Sequence, residues 1–234
     1  MRPTSAGFVV LAVVAVGACA YFAFLPGHAG TVSLWTLAAA ANVVLAALAV
    51  AWARREDLLR DWLTPTWGDF TRGVIGAAVF YGLAWAFVRL GAPPGSPREI
   101  WLVSLYGQLG DPRALQANAP LVAATIAVTS LAEEIVWRGA VTQMLAEQVG
   151  SRLAWIWAAL LYALAYVPTA WSLRAGDGSS GSLDPVLVLA GLAGGLFWGA
   201  MARRYGRLVP SILAHALFDW TVVMMFPLWG RFHP

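Results

Sequence analysis

The chain has 234 residues, 60% of them hydrophobic and only 12% charged, whereas a soluble domain carries about a quarter charged residues. All 15 basic residues are arginine, the formal net charge is +3, and no basic stripe alternates with aromatics, which argues against nucleic acid as a partner. The apolar residues form long runs rather than one amphipathic face, so the composition assigns an all-α, polytopic transmembrane bundle of about seven to eight spans in a lipid bilayer.

Seven runs are expected to span, at roughly 7–25, 32–53, 73–90, 119–148, 153–168, 185–201 and 208–226. The first follows Arg2 and contains Cys19, the one cysteine, which can form no internal disulfide. It resembles a signal peptide, with small residues at Ala18-Cys19-Ala20, but is expected to remain as a span because another apolar run begins almost at once. The second run carries Asn42, read as a helix–helix hydrogen bond. Pro26-Gly27, Pro93-Pro94-Gly95, Asp111-Pro112 and the Gly/Ser-rich stretch 176–181 punctuate the spans. The longest loop, 91–118, has room for an interfacial helix around 100–106. The sixth run repeats Gly191, Gly195 and Gly199, a small-residue stripe suited to close helix packing within one bundle. Nothing suggests an internal repeat or a separate soluble domain, so residues 1–234 read as a single membrane-embedded domain.

Loop arginines indicate the topology. With a cytoplasmic N-terminus, as expected for a bacterial inner membrane protein, ten arginines lie inside (2, 54, 55, 60, 72, 138, 152, 203, 204 and 207) and five outside (89, 98, 113, 174 and 231). Discounting Arg138 as intrahelical leaves nine against five.

Three stretches interrupt the apolar pattern with groups that are costly in a bilayer. In Leu131-Ala132-Glu133-Glu134-Ile135-Val136-Trp137-Arg138-Gly139, Glu134 and Arg138 are four apart and can pair on one helix face. Glu133 points about a hundred degrees away. As a buried carboxylate without that partner, it is the candidate general base. Tyr162 and Tyr166 are also four apart, in the next span. In Ser211-Ile212-Leu213-Ala214-His215-Ala216-Leu217-Phe218-Asp219, His215 and Asp219 share a face, so Asp219 could orient the imidazole or co-ligate a metal. Counted from the turn at Gly150, Glu133 and Tyr166 fall at nearly equal depth. His215 and Asp219 overlap the same slab, giving one buried site from three helices.

Glu-Glu-x-x-x-Arg-Gly, an aromatic-x-x-x motif and Pro-Ser-Ile-Leu-Ala-His-x-x-x-Asp together resemble the CAAX-protease and bacteriocin-processing (CPBP) family of intramembrane glutamic-type proteases, over about residues 119–222. The resemblance implies that Glu133 activates water with a second-motif histidine, while His215 and Asp219 stabilise the oxyanion. One position departs: the usual Phe-x-x-x-His reads Tyr162-x-x-x-Tyr166, and a phenol is a poor base at neutral pH. Three alternatives follow. Glu133 works without that histidine, Tyr166 is an electrophilic participant, or the protein is an inactive member serving as a membrane scaffold or binding partner. A divergent, myxosortase-like branch also fits the departure.

The plainer readings are weighed alongside. Glu134 and Arg138 suit structural support of the site, and Tyr166 suits a packing or interfacial role as well as a catalytic one. His28 and His233 lie in a loop and a tail and read as solvated. The older description of the family as metalloproteases raises zinc, for which Glu133, His215 and Asp219 would be the ligands; no His-Glu-x-x-His is present. A site without a cofactor or metal is the preferred expectation. The expected activity is endopeptidic cleavage of membrane-tethered proteins or peptides.

Overall fold

The computed structural model describes residues 3–173 and 183–225. Among them every regular element is helical: α1 (Pro3–Ala23), α2 (Val32–Arg55), α3 (Leu59–Leu63), α4 (Asp69–Gly91), α5 (Pro97–Leu109), α6 (Pro112–Ala117), α7 (Ala119–Glu133), α8 (Thr142–Val149), α9 (Ala154–Ala165), α10 (Thr169–Ser172), α11 (Val186–Tyr205) and α12 (Val209–Trp220). A π-helical segment, Glu134–Val141, joins α7 to α8, and a π turn, Thr221–Met225, extends α12.

Among the described residues six helical stretches are long and apolar enough to cross a membrane, the longest being the α7–α8 rod at 31 residues, about 46 Å at 1.5 Å per residue. The seventh expected span, Val209–Met225, is apolar but shorter. Large apolar side chains such as Val10, Ile75, Leu83 and Leu121 point outward from these helices, as a hydrocarbon solvent permits. The protein is thus a multi-pass, all-α membrane bundle.

Local sequence sets the breaks. Gly150 and Gly206 end α8 and α11 at φ 76° and 67°, a backbone region glycine enters without steric cost. Pro97 and Pro112 open α5 and α6 behind Ser96 and Asp111, whose side chains accept from Glu99 N (3.2 Å) and Arg113 N (2.8 Å). The loop at 91–118 therefore contains two helices, the first longer than expected and the second unforeseen.

The glycine stripe packs α11 onto α9. A Cβ on Gly195 would lie 3.0 Å from Ala159 Cα and Cβ, and Gly199 faces Trp155. Gly73 and Gly76 similarly admit Leu213 and Met201 between α4 and its neighbours. These close approaches supply the dispersion contacts that hold helices together where lipid offers no hydrophobic drive.

The bundle has two unlike ends. At one, Arg54, Arg55, Arg60, Arg72, Arg152, Arg203, Arg204 and Arg207 collect. Arg203 Nη1 donates to Arg152 O (2.5 Å), Arg207 lies 3.7 Å from Asp69, and Leu208 N donates to Trp62 O (3.0 Å). At the other, Gly30 N donates to Gln108 O (2.9 Å), Gln108 Nε2 to Leu25 O (2.8 Å), and the Tyr106 hydroxyl to Val222 O (2.8 Å). These bonds tie α5 to α1 and to the extension of α12. Arg89, Arg98 and Arg113 belong to this arginine-poor end. Arg2, Arg174, Arg231, His233 and the stretch 176–181 lie outside the described residues.

Candidate active site

Midway along the α7–α8 rod the helix changes character. All eight residues of Glu134–Val141 are buried, and the wider π turn shifts the register in which α7 and α8 present their side chains. Thr142 Oγ1 donates to Trp137 O (2.7 Å), satisfying one carbonyl of the altered ladder. Gly139 makes room for Trp62, whose ring would lie 2.9 Å from an added Cβ. Trp62 belongs to α3, so this short helix seals the segment on the arginine-rich side.

Glu133 is 5% exposed and receives three donors. Asn42 Nδ2 (3.2 Å) and the Tyr166 hydroxyl (2.9 Å) donate to Oε1, and the Tyr162 hydroxyl donates to Oε2. An ionised carboxylate accepts at about four lone-pair positions, so one direction on Oε2 remains. It faces His215, whose Nε2 is 3.8 Å away.

Glu134 is fully buried and serves the opposite side of the imidazole. Its Oε1 lies 3.0 Å from His215 Nδ1 and 3.2 Å from Arg138 Nη1. The Arg138 contact is within ion-pair distance but off the hydrogen-bond direction. Arg138 Nη2 donates instead to Gly194 O (3.2 Å), and the guanidinium lies 4.6 Å from the Tyr162 ring centre. The expected Glu134–Arg138 pair is thus present as the central link of a chain running from α11 to α12. Such a pair in a low-dielectric interior is kept by its further hydrogen bonds rather than by Coulomb attraction alone.

His215 stacks on Trp198 at 5.4 Å and 22°. Spacing along α12 pointed to Asp219 as the group orienting the imidazole. Asp219 Oδ2 lies 3.5 Å from Nε2, whereas Glu134 is closer and holds Nδ1. Asp219 also accepts from Ser130 Oγ (3.3 Å). The i,i+4 rule finds neighbours on one helix, but the stronger partner comes from another.

Tyr166 sits beside Gly191, which a Cβ would bring to 3.3 Å of its ring. The glycine stripe therefore also admits the tyrosine to Glu133. Glu133, Tyr166, His215 and Asp219 come together at one place, with Glu134 and Arg138 behind them. Asn42 was legible as an interhelical hydrogen bond; its partner is Glu133 itself. Ser130, Tyr162 as a donor to Glu133 and the Gly194 carbonyl were not foreseen as site groups. Asn42, an amide in the middle of an apolar run, was the one usable signal. His28 is in the 3-10 turn Pro26–His28, away from the cluster.

Glu133, His215 and Asp219 line a cavity of about 870 Å³ whose other walls are mostly apolar. Among the described residues, no group of three or more His, Cys, Asp or Glu side chains is arranged to hold a metal ion. Three N–H and O–H groups aim at Glu133, as donors do around a hydrogen-bonded carboxylate.

Residues 115–221 match the family model for type II CAAX prenyl endopeptidase Rce1-like proteins. No curated protein and no solved structure matches the chain. Every member of the cluster except Asn42 lies within the matched segment. The match is to the Rce1-like family and does not select a myxosortase-like branch. The family is one of CAAX-type proteases acting on membrane-tethered substrates within a bilayer. Over residues 115–221, the segment that builds its site, the chain is similar to this Rce1-like family, which is consistent with the CPBP group.

Proposed function

We propose that the protein is an intramembrane endopeptidase in which Glu133 activates water and His215 stabilises the oxyanion. The observation that carries this reading is the facing pair Glu133 Oε2 and His215 Nε2, 3.8 Å apart at the wall of the cavity. A water hydrogen-bonded to both atoms sits beside a peptide carbonyl lying in the cavity.

Glu133 takes one proton from this water as its oxygen bonds to the scissile carbonyl carbon. The carbonyl oxygen becomes an oxyanion, and His215, in its doubly protonated form, donates to it from Nε2 while Nδ1 donates to Glu134. When the C–N bond breaks, the proton held by Glu133 passes to the departing amine. The products are an amine and a carboxylic acid, which loses its proton to solvent to become a carboxylate, and Glu133 is restored. Asn42, Tyr162 and Tyr166 hold the carboxylate in place without taking a proton from it. The donors on Glu133 support a metal-free, glutamate-type reaction, and no step needs a cofactor.

Substrates are membrane-tethered proteins or peptides. The test compares protein termini in membrane and secreted fractions from cells with wild type, Glu133→Ala or no protein. The proposal expects the same set of termini to be missing with Glu133→Ala and with no protein. A variant that inserts, folds and still yields those termini overturns it. Tyr166, standing where the family histidine is usual, favours a second reading: an inactive member acting as a scaffold. Full cellular function of Glu133→Gln would support that reading.

A further inference from the structure

The cavity is not centred in the bundle. It takes Val16 and Ala20 from the last part of α1, Phe24 just after it and Ala38 from the first half of α2. From α4 it takes only positions from Phe80 onward, and from α12 only positions from His215 onward. Each of these segments lies toward the arginine-poor end. Trp155, near the start of α9, is the exception. On the opposite side of the cluster Trp62, Trp137 and the buried π segment fill the space.

At the arginine-poor end, α5 presents one complete face to the cavity. Arg98, Trp101, Leu102, Leu105, Tyr106 and Leu109 follow the i, i+3, i+4, i+7, i+8, i+11 spacing of a single helical stripe. The helix is anchored at both flanks, through Gln108 to Leu25 and through Tyr106 to Val222, so it forms a fixed wall of the mouth. Charge is segregated along the cavity. Arg98 lines it as an exposed residue at the α5 end, while Glu133 and His215 are buried and Asp219 half-buried among mostly apolar walls.

Which end faces the cytoplasm follows from the arginines. Among the described residues eight (54, 55, 60, 72, 152, 203, 204 and 207) collect at the closed end and three (89, 98 and 113) at the open end, with Arg138 buried between them. Arginine in short loops is retained on the cytoplasmic side. We propose that the site is served from the non-cytoplasmic side: a membrane-anchored protein lays an apolar segment under α5, its acidic flank meeting Arg98, and is cut on that side of the bilayer. A cytoplasmic segment would have to pass the Trp62 and Trp137 packing to reach Glu133. The proposal rests on the protease reading for its substrate, but its sidedness is independent of that reading.

The experiment uses the full chain in intact cells, with Cys19→Ala as background. Single cysteines replace Arg98, Trp101 or Arg60, and a bulky membrane-impermeant maleimide is applied before or after permeabilisation. Arg98→Cys and Trp101→Cys are expected to label in intact cells, and Arg60→Cys only after permeabilisation. The Glu133-dependent termini made by the wild-type protein are expected to fall in non-cytoplasmic segments of their substrates. Labelling of Arg60→Cys but not Arg98→Cys in intact cells would overturn the proposal. So would Glu133-dependent termini confined to cytoplasmic segments of the substrates. If the termini persist in Glu133→Ala, the protease reading fails whatever the labelling pattern.

Discussion

Removing the Tyr166 hydroxyl isolates what this residue contributes. In Tyr166→Phe the ring keeps its place against Gly191, but Glu133 Oε1 loses its 2.9 Å donor. A hydrogen bond to a charged group contributes about 1.5–3 kcal/mol. Asn42 still donates to the same oxygen at 3.2 Å, which places the loss at the lower bound, about 1.5 kcal/mol, or roughly tenfold in rate. Because the bond positions the base rather than the substrate, the fall belongs in kcat with KM unchanged. The assay is a time course of cleavage by purified protein in liposomes, on a substrate identified from the missing termini. Had the phenol instead been an oxyanion donor, its removal would cost about 10²–10³ in kcat. A loss of that size, or none, would refute the positioning role.

Arg138→Met leaves buried Glu134 without its cation, and is expected to destabilise the protein by about 3–5 kcal/mol. Glu134→Gln combined with Arg138→Met should recover most of that loss in a thermal-unfolding assay in detergent. Gly195→Val drives a side chain into Ala159. It is expected to cost about 1–3 kcal/mol and to lower activity too, since α9 carries Tyr162 and precedes Tyr166 directly; cleavage and unfolding measured on one preparation check both. Asp184, 3% exposed and just ahead of α11, is raised by burial from 3.8 to about 6, against the opposing hydrogen bond from Val186 N. The fold therefore favours its protonated form. This stabilisation is fully present below pH 3.8 and is lost as pH rises through about 6. Asp184→Asn should flatten the fall in melting temperature across that window, and an unchanged pH profile would count against the assignment.

Much of the architecture was legible because a bilayer imposes simple rules. Run length located the spans, and Gly150 marked the turn that brings Glu133 and Tyr166 level. The glycine stripe identified a packing face, although only the structure shows that Gly191 also admits Tyr166. What stayed hidden depends on contacts between helices. Nothing local to α2 says that Asn42 meets Glu133, 91 positions away. The i,i+4 spacing of His215 and Asp219 pointed to a partner on the same helix, while the closer one, Glu134, comes from across the bundle. The π segment was invisible too, because Glu134 and Arg138 stand at the four-residue spacing an α-helix also uses, so nothing in Glu134–Val141 marks the wider turn.

The most direct test of the central claim is cleavage in heavy-oxygen water by purified wild type and Glu133→Gln, each shown to be folded by its unfolding transition. Gln preserves the shape of the side chain and removes its capacity to take a proton. The account predicts that wild type places one heavy oxygen in each new C-terminal carboxylate and that Glu133→Gln produces no such termini. Cleavage by folded Glu133→Gln at the wild-type rate would contradict it.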